Sequence, residues 1–336
     1  MKSFAVIQPG TFAEAASLMV DKKYSLPVLK AGGVDVLDHL KEGLWSPDIL
    51  VNVKRVRGEN GEAIAQSGTQ LRIEANTTLE ELARSKVLLD VAPVLAQAAV
   101  SAATPQVRSV ASAAGNLLQR PRCWYYRHSQ FDCLKKGGNF CYAVEGENKF
   151  HAIFGPGPCH IVHPSNIAPA LMVLDAVVYV TGGKRESVKI ADLFHMPEKG
   201  ILSEHNLEPG EVVTHFTCAV AGKSGFYAIK EKQSFDWPCA FACVALEVDG
   251  DTIKNARVCA GAVAPVPWNL PASADALKGA KTSDDAAISR AASLASQAAK
   301  PMRDNGYKLA MLETCVRRAV LRALGRDIPS FTGGPA

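Results

Sequence analysis

The sequence predicts an α+β fold, and three local patterns support that prediction. A capping pair, Thr11 and Glu14, precedes an apolar stripe at helical spacing, which predicts a helix over about residues 12–22. The apolar run Leu26 to Leu29 is followed by a glycine turn and a second helical stripe, which together form a strand–turn–helix unit. In the last third, apolar runs at 239–248 and 253–263 are joined by a turn, as in an antiparallel hairpin.

Further elements follow from the same signals along the chain. Strands are predicted at Ile49–Val53 and Leu71–Ile73, and Thr104-Pro105 is typical of a helix start. Residues 120–160 mix basic, aromatic, glycine and cysteine residues without periodicity, which predicts a long functional loop. The last helix is predicted over about residues 309–324. The C-terminal unit therefore reads as antiparallel strands with helices.

Composition excludes several classes of protein. The 336 residues are enough for two or three structural units. Basic residues number 37 and acidic residues 33, without long runs of one sign, so no nucleic-acid partner is expected. The longest apolar stretch, Ile167 to Val180, is interrupted by Asp175 and is too short to span a membrane. The N-terminus reads as lacking an export signal. Together with the nine cysteines, this predicts a reducing compartment, which is the cytoplasm by default.

A glycine pair between a strand and a helix is the first candidate site. Without side chains, its backbone N–H groups can approach an anion such as a diphosphate, helped by the N-terminus of the following helix. A purely structural turn remains open at this point, because neither the phosphate-loop lysine motif nor the three-glycine dinucleotide fingerprint is present. The candidate residues are Leu29, Lys30, Ala31, Gly32, Gly33, Val34, Asp35 and Val36.

Four cysteines, clustered within 37 residues of the polar loop, are the second candidate site. Four thiolates are the ligand set of a cubane iron–sulfur cluster or of a structural zinc ion. Their spacing matches neither a standard ferredoxin nor a zinc knuckle, so four unrelated thiols remain an alternative. The other five cysteines lie within apolar patterns and are expected in the core. The four candidate ligands are Cys123, Cys133, Cys141 and Cys159.

Several motifs together resemble the FAD-binding subunit of the molybdenum hydroxylases, the xanthine dehydrogenase and aldehyde oxidoreductase family. The resemblance covers essentially the whole chain, with departures from the family pattern at Val34, Ala114 and Asn166. The matching segments are Ala31 to Asp35, Gln106 to Ser109, Ser112 to Asn116, His163 to Asn166, Leu207 to Glu211 and Gly261 to Trp268.

This resemblance implies a two-part FAD-binding domain of the vanillyl-alcohol-oxidase type and a small C-terminal α/β domain like that of the CO dehydrogenase flavoprotein. The implied boundaries are 1–58, 59–182 with a cluster loop at 119–160, and 183–330. The implied FAD contacts beyond the glycine turn are Ser112, Ala114, Gly115, Asn116, Ser165, Asn166, Lys230 and Lys232. The nucleotide contacts are expected to lie apart from the cluster loop, so that loss of the cluster leaves FAD largely bound.

The loop from Gln119 to Cys159 resembles the insertion of the subset whose FAD subunit also carries a [4Fe–4S] cluster, as in periplasmic aldehyde oxidoreductase. The basic residues of the loop are expected to offset the charge of such a cluster. The implied partners are a large molybdenum-cofactor subunit and a small [2Fe–2S] subunit, in a heterotrimer or a dimer of heterotrimers. A partner with an export signal would carry the complex to the periplasm.

The implied role is electron transfer from the partner [2Fe–2S] clusters through FAD to a final acceptor, during oxidation of an aldehyde or N-heterocycle. Two other functions remain open. One is a non-catalytic assembly subunit with a four-cysteine zinc loop. The other is a stand-alone flavin oxidase of similar fold.

Overall fold

The computed structural model describes residues 2–58, 61–155, 157–232 and 235–328, and the strands of those ranges form three sheets. In chain order the strands are β1 (Ala5–Ile7), β2 (Pro27–Lys30), β3 (Ile49–Asn52), β4 (Ile64–Ser67), β5 (Gln70–Glu74), β6 (Val177–Thr181), β7 (Ser187–Lys189), β8 (Val212–Ala219), β9 (Ser224–Lys230), β10 (Pro238–Asp249), β11 (Thr252–Gly261) and β12 (Trp268–Asn269). The two longest of these strands, β10 and β11, have 12 and 10 residues.

The three sheets differ in strand direction. The first is parallel, with the order β1-β3-β2. The second is antiparallel, with the order β4-β5-β8-β6-β7, so that β8 pairs with strands far away in sequence. The third is the antiparallel meander β12-β11-β10-β9, in which Cys243 faces Cys259 across the β10–β11 ladder.

The helices cover these sheets. In chain order they are α1 (Phe12–Met19), α2 (Val34–Lys41), α3 (Leu79–Arg84), α4 (Lys86–Val91), α5 (Pro93–Ser101), α6 (Pro105–Arg108), α7 (Ala113–Leu117), α8 (Trp124–Arg127), α9 (Ile167–Val173), α10 (Ile190–Leu193), α11 (Pro271–Leu277), α12 (Asp285–Leu294) and α13 (Lys308–Ala323).

Two apolar cores hold the chain together. The larger core lies between the first two sheets and helices α1, α3, α5 and α9. The smaller core lies between the C-terminal sheet and helices α11 to α13, with α13 packed along β9 and β10. The cysteines outside the loop are buried, as the sequence predicts. Cys218, Cys243, Cys259 and Cys315 belong to these cores, and Cys239 is buried outside them.

Local signals predicted most helix starts correctly. The Thr11 side chain accepts a hydrogen bond from Glu14 N, although α1 ends earlier than predicted. The pair Thr78 and Glu81 forms a full capping box at the start of α3. No helix of the described ranges is both long and apolar enough to cross a membrane. The domain boundaries at 58 and 182 stay predictions.

Candidate flavin cleft and cysteine cavity

The glycine turn between β2 and α2 is shaped by the backbone around it. Gly33 has a φ of +84° and forms the N-cap of α2. At Gly32 a Cβ would lie 1.9 Å from the carbonyl oxygen of Val110, so this turn packs directly on the backbone at 110–111. Only glycine fits a position of this kind without strain or collision. The turn therefore joins two segments that are about 80 residues apart in the sequence.

A cleft of about 640 Å³ opens beside this turn. That volume lies within the range typical of cofactor sites. One wall comes from Leu29 and residues 31–36, a second from residues 111–122, and a third from residues 202–205 and 211–213. The structure thus brings together these three segments of the chain, of which residues 202–205 carried no sequence signal.

The second wall contains most of the predicted nucleotide contacts. Ser112, Ala114, Gly115 and Asn116 line the cleft, together with Asn166 from the start of α9. Asn166 is buried, and its Nδ2 has no hydrogen-bond partner within the described part of the chain. A buried amide without a partner is costly unless a bound group satisfies it. The cleft therefore has the size and the polar chemistry of a nucleotide site, and its residues fit FAD.

Other predicted FAD residues lie elsewhere. Ser165 is fully buried behind the cleft wall, where its Oγ donates to Asn116 Oδ1 at 2.8 Å. Lys30 Nζ lies 3.4 Å from Asn52 Oδ1, outside the cleft lining.

The two predicted lysines differ in position. Lys230 Nζ donates to the carbonyl of Ser101, at the rim of the cleft, at 2.7 Å. Burial lowers the pKa of Lys230. Lys232 is exposed to solvent. Neither lysine lines the cleft, but Lys230 bonds to a residue that does.

Asp35 is held by the cysteine loop. Its carboxylate accepts from Arg120 N at 2.9 Å and pairs with Arg127 at 2.7 Å and Arg122 at 3.0 Å. Burial acts to raise the pKa of Asp35, but the two guanidinium groups outweigh it and the pKa is lowered. Asp35 is therefore a carboxylate fixed in its charged form, between the glycine turn and the loop.

The four candidate cysteines line one small cavity, together with Tyr126 and His151. Cys123 precedes α8, and the chain reverses at Gly137-Gly138 between Cys133 and Cys141, with Leu134 N donating to Phe140 O. Four residues distributed over the loop thus line the same cavity.

The thiols in this cavity differ in acidity. Burial raises the pKa of Cys123 to about 12. A hydrogen bond from Cys159 lowers the pKa of Cys141, and the same contact raises that of Cys159. His151 Nε2 lies 3.3 Å from Cys123 Sγ.

No group of three or more His, Cys, Asp or Glu side chains in the described ranges is arranged to hold a metal ion. A structural zinc needs four ligands converging on one point, with Zn–S distances of about 2.3 Å. This finding supports neither a zinc ion nor a cluster, so a metal centre at the four cysteines stays a proposal. In a cubane each thiolate binds a different iron, so the four sulfur atoms need not converge.

Most basic residues of the loop pair with acidic residues, whereas Lys136 Nζ donates to the carbonyl of His128. Arg120 and Lys135 both bind Glu204, at 2.9 and 2.7 Å, and Arg122 and Arg127 bind Asp35 and Asp38. Of the loop's basic side chains, Lys135 also lines the cysteine cavity. The expectation that these residues partly offset the charge of a cluster stays a prediction, since acidic partners already pair with four of them.

The loop also forms part of the cleft. Gln119, Arg120 and Arg122 line it together with the glycine turn. The expectation that the nucleotide contacts lie apart from the cluster loop is therefore wrong in its geometry. Sequence reasoning also missed Trp45 and His205, which line the cleft, because no local pattern links them to it.

Comparison with known proteins identifies the family. Residues 2–218 match the model of the FAD binding domain in molybdopterin dehydrogenase, and residues 225–323 match that of the CO dehydrogenase flavoprotein C-terminal domain. The chain belongs to the FAD-binding subunits of the molybdenum hydroxylase family. The resemblance to this family, the predicted α+β fold and the assignment to an oxidoreductase subunit are confirmed.

Individual relatives agree with this assignment. The chain is 32% identical over 333 residues to the aldehyde oxidoreductase FAD-binding subunit PaoB of Escherichia coli K12, covering 96% of this chain and 99% of PaoB. It is 24% identical to the carbon monoxide dehydrogenase medium chain of Hydrogenophaga pseudoflava, covering 95% and 96%.

Solved structures share the fold. The carbon monoxide dehydrogenase structure from H. pseudoflava matches with a TM-score of 0.74 at 23% identity, over 97% of this chain and 99% of that one. Quinoline 2-oxidoreductase from Pseudomonas putida 86 matches with a TM-score of 0.73 at 20% identity, with the same coverage.

Proposed function

We propose that the chain carries FAD and a [4Fe–4S] cluster as the electron-transfer subunit of a molybdenum hydroxylase complex. Electrons would arrive from [2Fe–2S] clusters on a small partner subunit and leave from the flavin to a final acceptor. A large subunit with the molybdenum cofactor would carry out the oxidation. The observation that carries the proposal is the meeting of four cysteines at one cavity beside a nucleotide-sized cleft.

Aldehydes are the favoured substrate class of the complex. The relative with 32% identity over nearly the whole chain is named as an aldehyde oxidoreductase subunit. An N-heterocycle, as in quinoline 2-oxidoreductase, is the second candidate, supported by similarity of fold. We place the complex in the cytoplasm unless a partner carries an export signal, which cell fractionation would test.

The residues of this chain would bind and orient the flavin nucleotide. Asn166 Nδ2 would donate to it, the turn at Gly32-Gly33 would let backbone N–H groups approach its diphosphate, and Lys230 would supply a cation at the rim. The bound flavin itself accepts electrons singly, holds two and passes them on.

Cys123, Cys133, Cys141 and Cys159 would each bind one iron of the cluster. The pKa of Cys141 is already lowered, whereas Cys123 and Cys159, whose pKa values are raised, would lose their protons as iron binds. His151 would donate from Nε2 to the sulfur of Cys123, the kind of outer contact that tunes cluster potentials.

The test is purification of the full chain together with whatever subunits accompany it. The proposal predicts flavin absorption bands with a broad iron–sulfur shoulder and two co-purifying subunits, one with molybdenum. A colourless protein with one zinc would support the assembly-subunit alternative. Reduction of the flavin by an aldehyde in the isolated chain would support a stand-alone oxidase.

A further inference from the structure

Helix α2 separates the flavin cleft from the cysteine cavity and contacts residues of both. Its first residues continue the glycine turn that lines the cleft. Its side chains Asp35, Asp38 and His39 all bond to residues 120–127, the segment that holds Cys123. The two sites therefore share one structural element.

Four ion pairs fasten this helix to the loop. Arg127 reaches Asp35 at 2.7 Å and Asp38 at 2.8 Å, and Arg122 reaches the same two carboxylates at 3.0 and 3.1 Å. Asp35 and both arginines are largely shielded from solvent. Separating such a pair leaves uncompensated charges in a poorly solvated place, so the helix and residues 120–127 are held to a single arrangement.

A second connection consists of aromatic and imidazole groups. The Tyr126 hydroxyl, at the cysteine cavity, lies 2.9 Å from Nε2 of the fully buried His39. The His39 ring stacks on Trp45, with ring centroids 3.9 Å apart, and Trp45 lines the flavin cleft. These groups form a continuous series of contacts from one site to the other.

From these contacts we infer that the cysteine cavity and the flavin cleft are energetically coupled through α2, so that occupancy of each raises the affinity of the other. The inference rests on the proposed function. Iron bound by Cys123 would hold residues 123–127 from the cavity side, which keeps their contacts to α2 in place. By thermodynamic linkage, the factor by which the bound cluster raises the affinity for FAD must equal the factor by which bound FAD raises the affinity for iron.

The first test measures the FAD dissociation constant of the full chain with and without its cluster. Cys133→Ser removes one proposed iron ligand, and Cys133 lies outside the cleft. We expect FAD to bind about 5- to 150-fold more weakly, the usual range for coupled sites. Reciprocally, a chelator should remove iron from the FAD-stripped chain faster than from the FAD-loaded chain.

A double-mutant cycle locates the coupling. Asp38→Asn removes one partner of Arg122 and Arg127 without altering the cleft lining. It should weaken FAD binding in the iron-loaded chain and have a smaller effect in the Cys133→Ser background, because the contacts are then already loosened. Arg303→Ala is the matched control, since Arg303 bonds the loop carbonyls of Glu145 and Gly146 away from α2. It should leave FAD affinity unchanged.

Iron loss with an unchanged FAD dissociation constant in a folded Cys133→Ser chain would overturn the coupling and leave the proposed function intact. Iron-free wild-type chain would instead refute the cluster and, with it, the coupling. If Cys133→Ser does not fold by circular dichroism, the same comparison is made with wild-type chain whose iron has been stripped by a chelator.

Discussion

At the scale of single residues, Gly33 determines whether the glycine turn can meet a nucleotide. Its φ is +84°, and a Cβ there would lie 2.9 Å from Cε of Lys30. Gly33→Val should strain the turn and place a branched side chain where its backbone N–H groups would meet the diphosphate, and so release FAD, as measured by the flavin content of the purified chain. Gly43→Val is the matched control, because Gly43 has a φ of +70° with nothing within 4 Å. Both variants carry backbone strain of about 1–2 kcal/mol, but Gly43→Val should keep its flavin. Full FAD occupancy in folded Gly33→Val would refute the role of the turn.

Lys230 is the second residue with a testable role. Its ammonium group lies at the rim of the cleft, where a cation would stabilise the reduced, anionic flavin. Lys230→Met keeps most of the aliphatic stem and removes the charge, so the flavin reduction potential should fall. Redox titration measures this potential, and the exposed Lys232→Met is the control that should leave it unchanged. Equal potentials in the wild type and Lys230→Met would eliminate the role.

At the scale of elements, the cysteine loop is anchored to the rest of the chain in two different ways. Its first part, residues 120–127, is held to α2 by ion pairs. Its second half is held by the C-terminal domain, where Asn305 Nδ2 donates to the carbonyls of His151 and Ala152 and Ile153 N donates to Val263 O. Between them, residues 128–146 contain the turn that carries Cys133 and Cys141. Loss of iron should therefore loosen this middle part more than the C-terminal anchor.

Limited trypsin digestion tests this difference. In Cys133→Ser, trypsin should cut after Lys135 or Lys136, while the bond after Lys149 stays protected because its segment is anchored by Tyr307 and Lys308. Mass spectrometry of the fragments gives the cleavage sites. Equal cleavage at Lys136 in the iron-loaded wild type and in Cys133→Ser would show that iron does not order the turn.

Lys308 connects the loop to α13 and makes stability depend on pH. Its buried ammonium donates to the carbonyls of Phe150 and Ala262. Burial lowers the pKa of Lys308 to about 7. Between that value and its ordinary pKa, the unfolded chain binds more protons than the folded chain, so this residue makes stability rise with pH.

The expected contribution is up to about 1.4 kcal/mol per pH unit for one proton. Urea unfolding at pH 7 and pH 9 measures it, and Lys308→Met should flatten the dependence. A slope that is the same in the wild type and in Lys308→Met would contradict the lowered pKa.

Sequence reasoning worked at this scale where the signal was local. The Thr11–Glu14 capping pair and the hairpin that joins residues 239–248 to residues 253–263 each depend on neighbouring residues, and both are present. Strand β8 was missed, because its place between β5 and β6 depends on pairing with strands outside its own neighbourhood in the sequence. The same reason applies to the pairing of Arg120 with Glu204, which no spacing rule contains.

At the scale of the whole molecule, the candidate site is a junction between segments rather than a single motif. The glycine turn could be predicted as a cleft wall because it carries its own backbone signal. The cysteines could be predicted as a group because four of them lie close together in the sequence. The closeness of the two sites could not be predicted, since it results from α2 packing against residues 120–127. The family assignment extends over both halves of the chain, but it leaves the cluster as our proposal.

The most direct test of that proposal is metal and flavin analysis of the full chain, wild type beside Cys133→Ser. The account predicts about four irons and one FAD per wild-type chain, and loss of the iron in the variant. One zinc without iron in the wild type, or unchanged iron in Cys133→Ser, would contradict it.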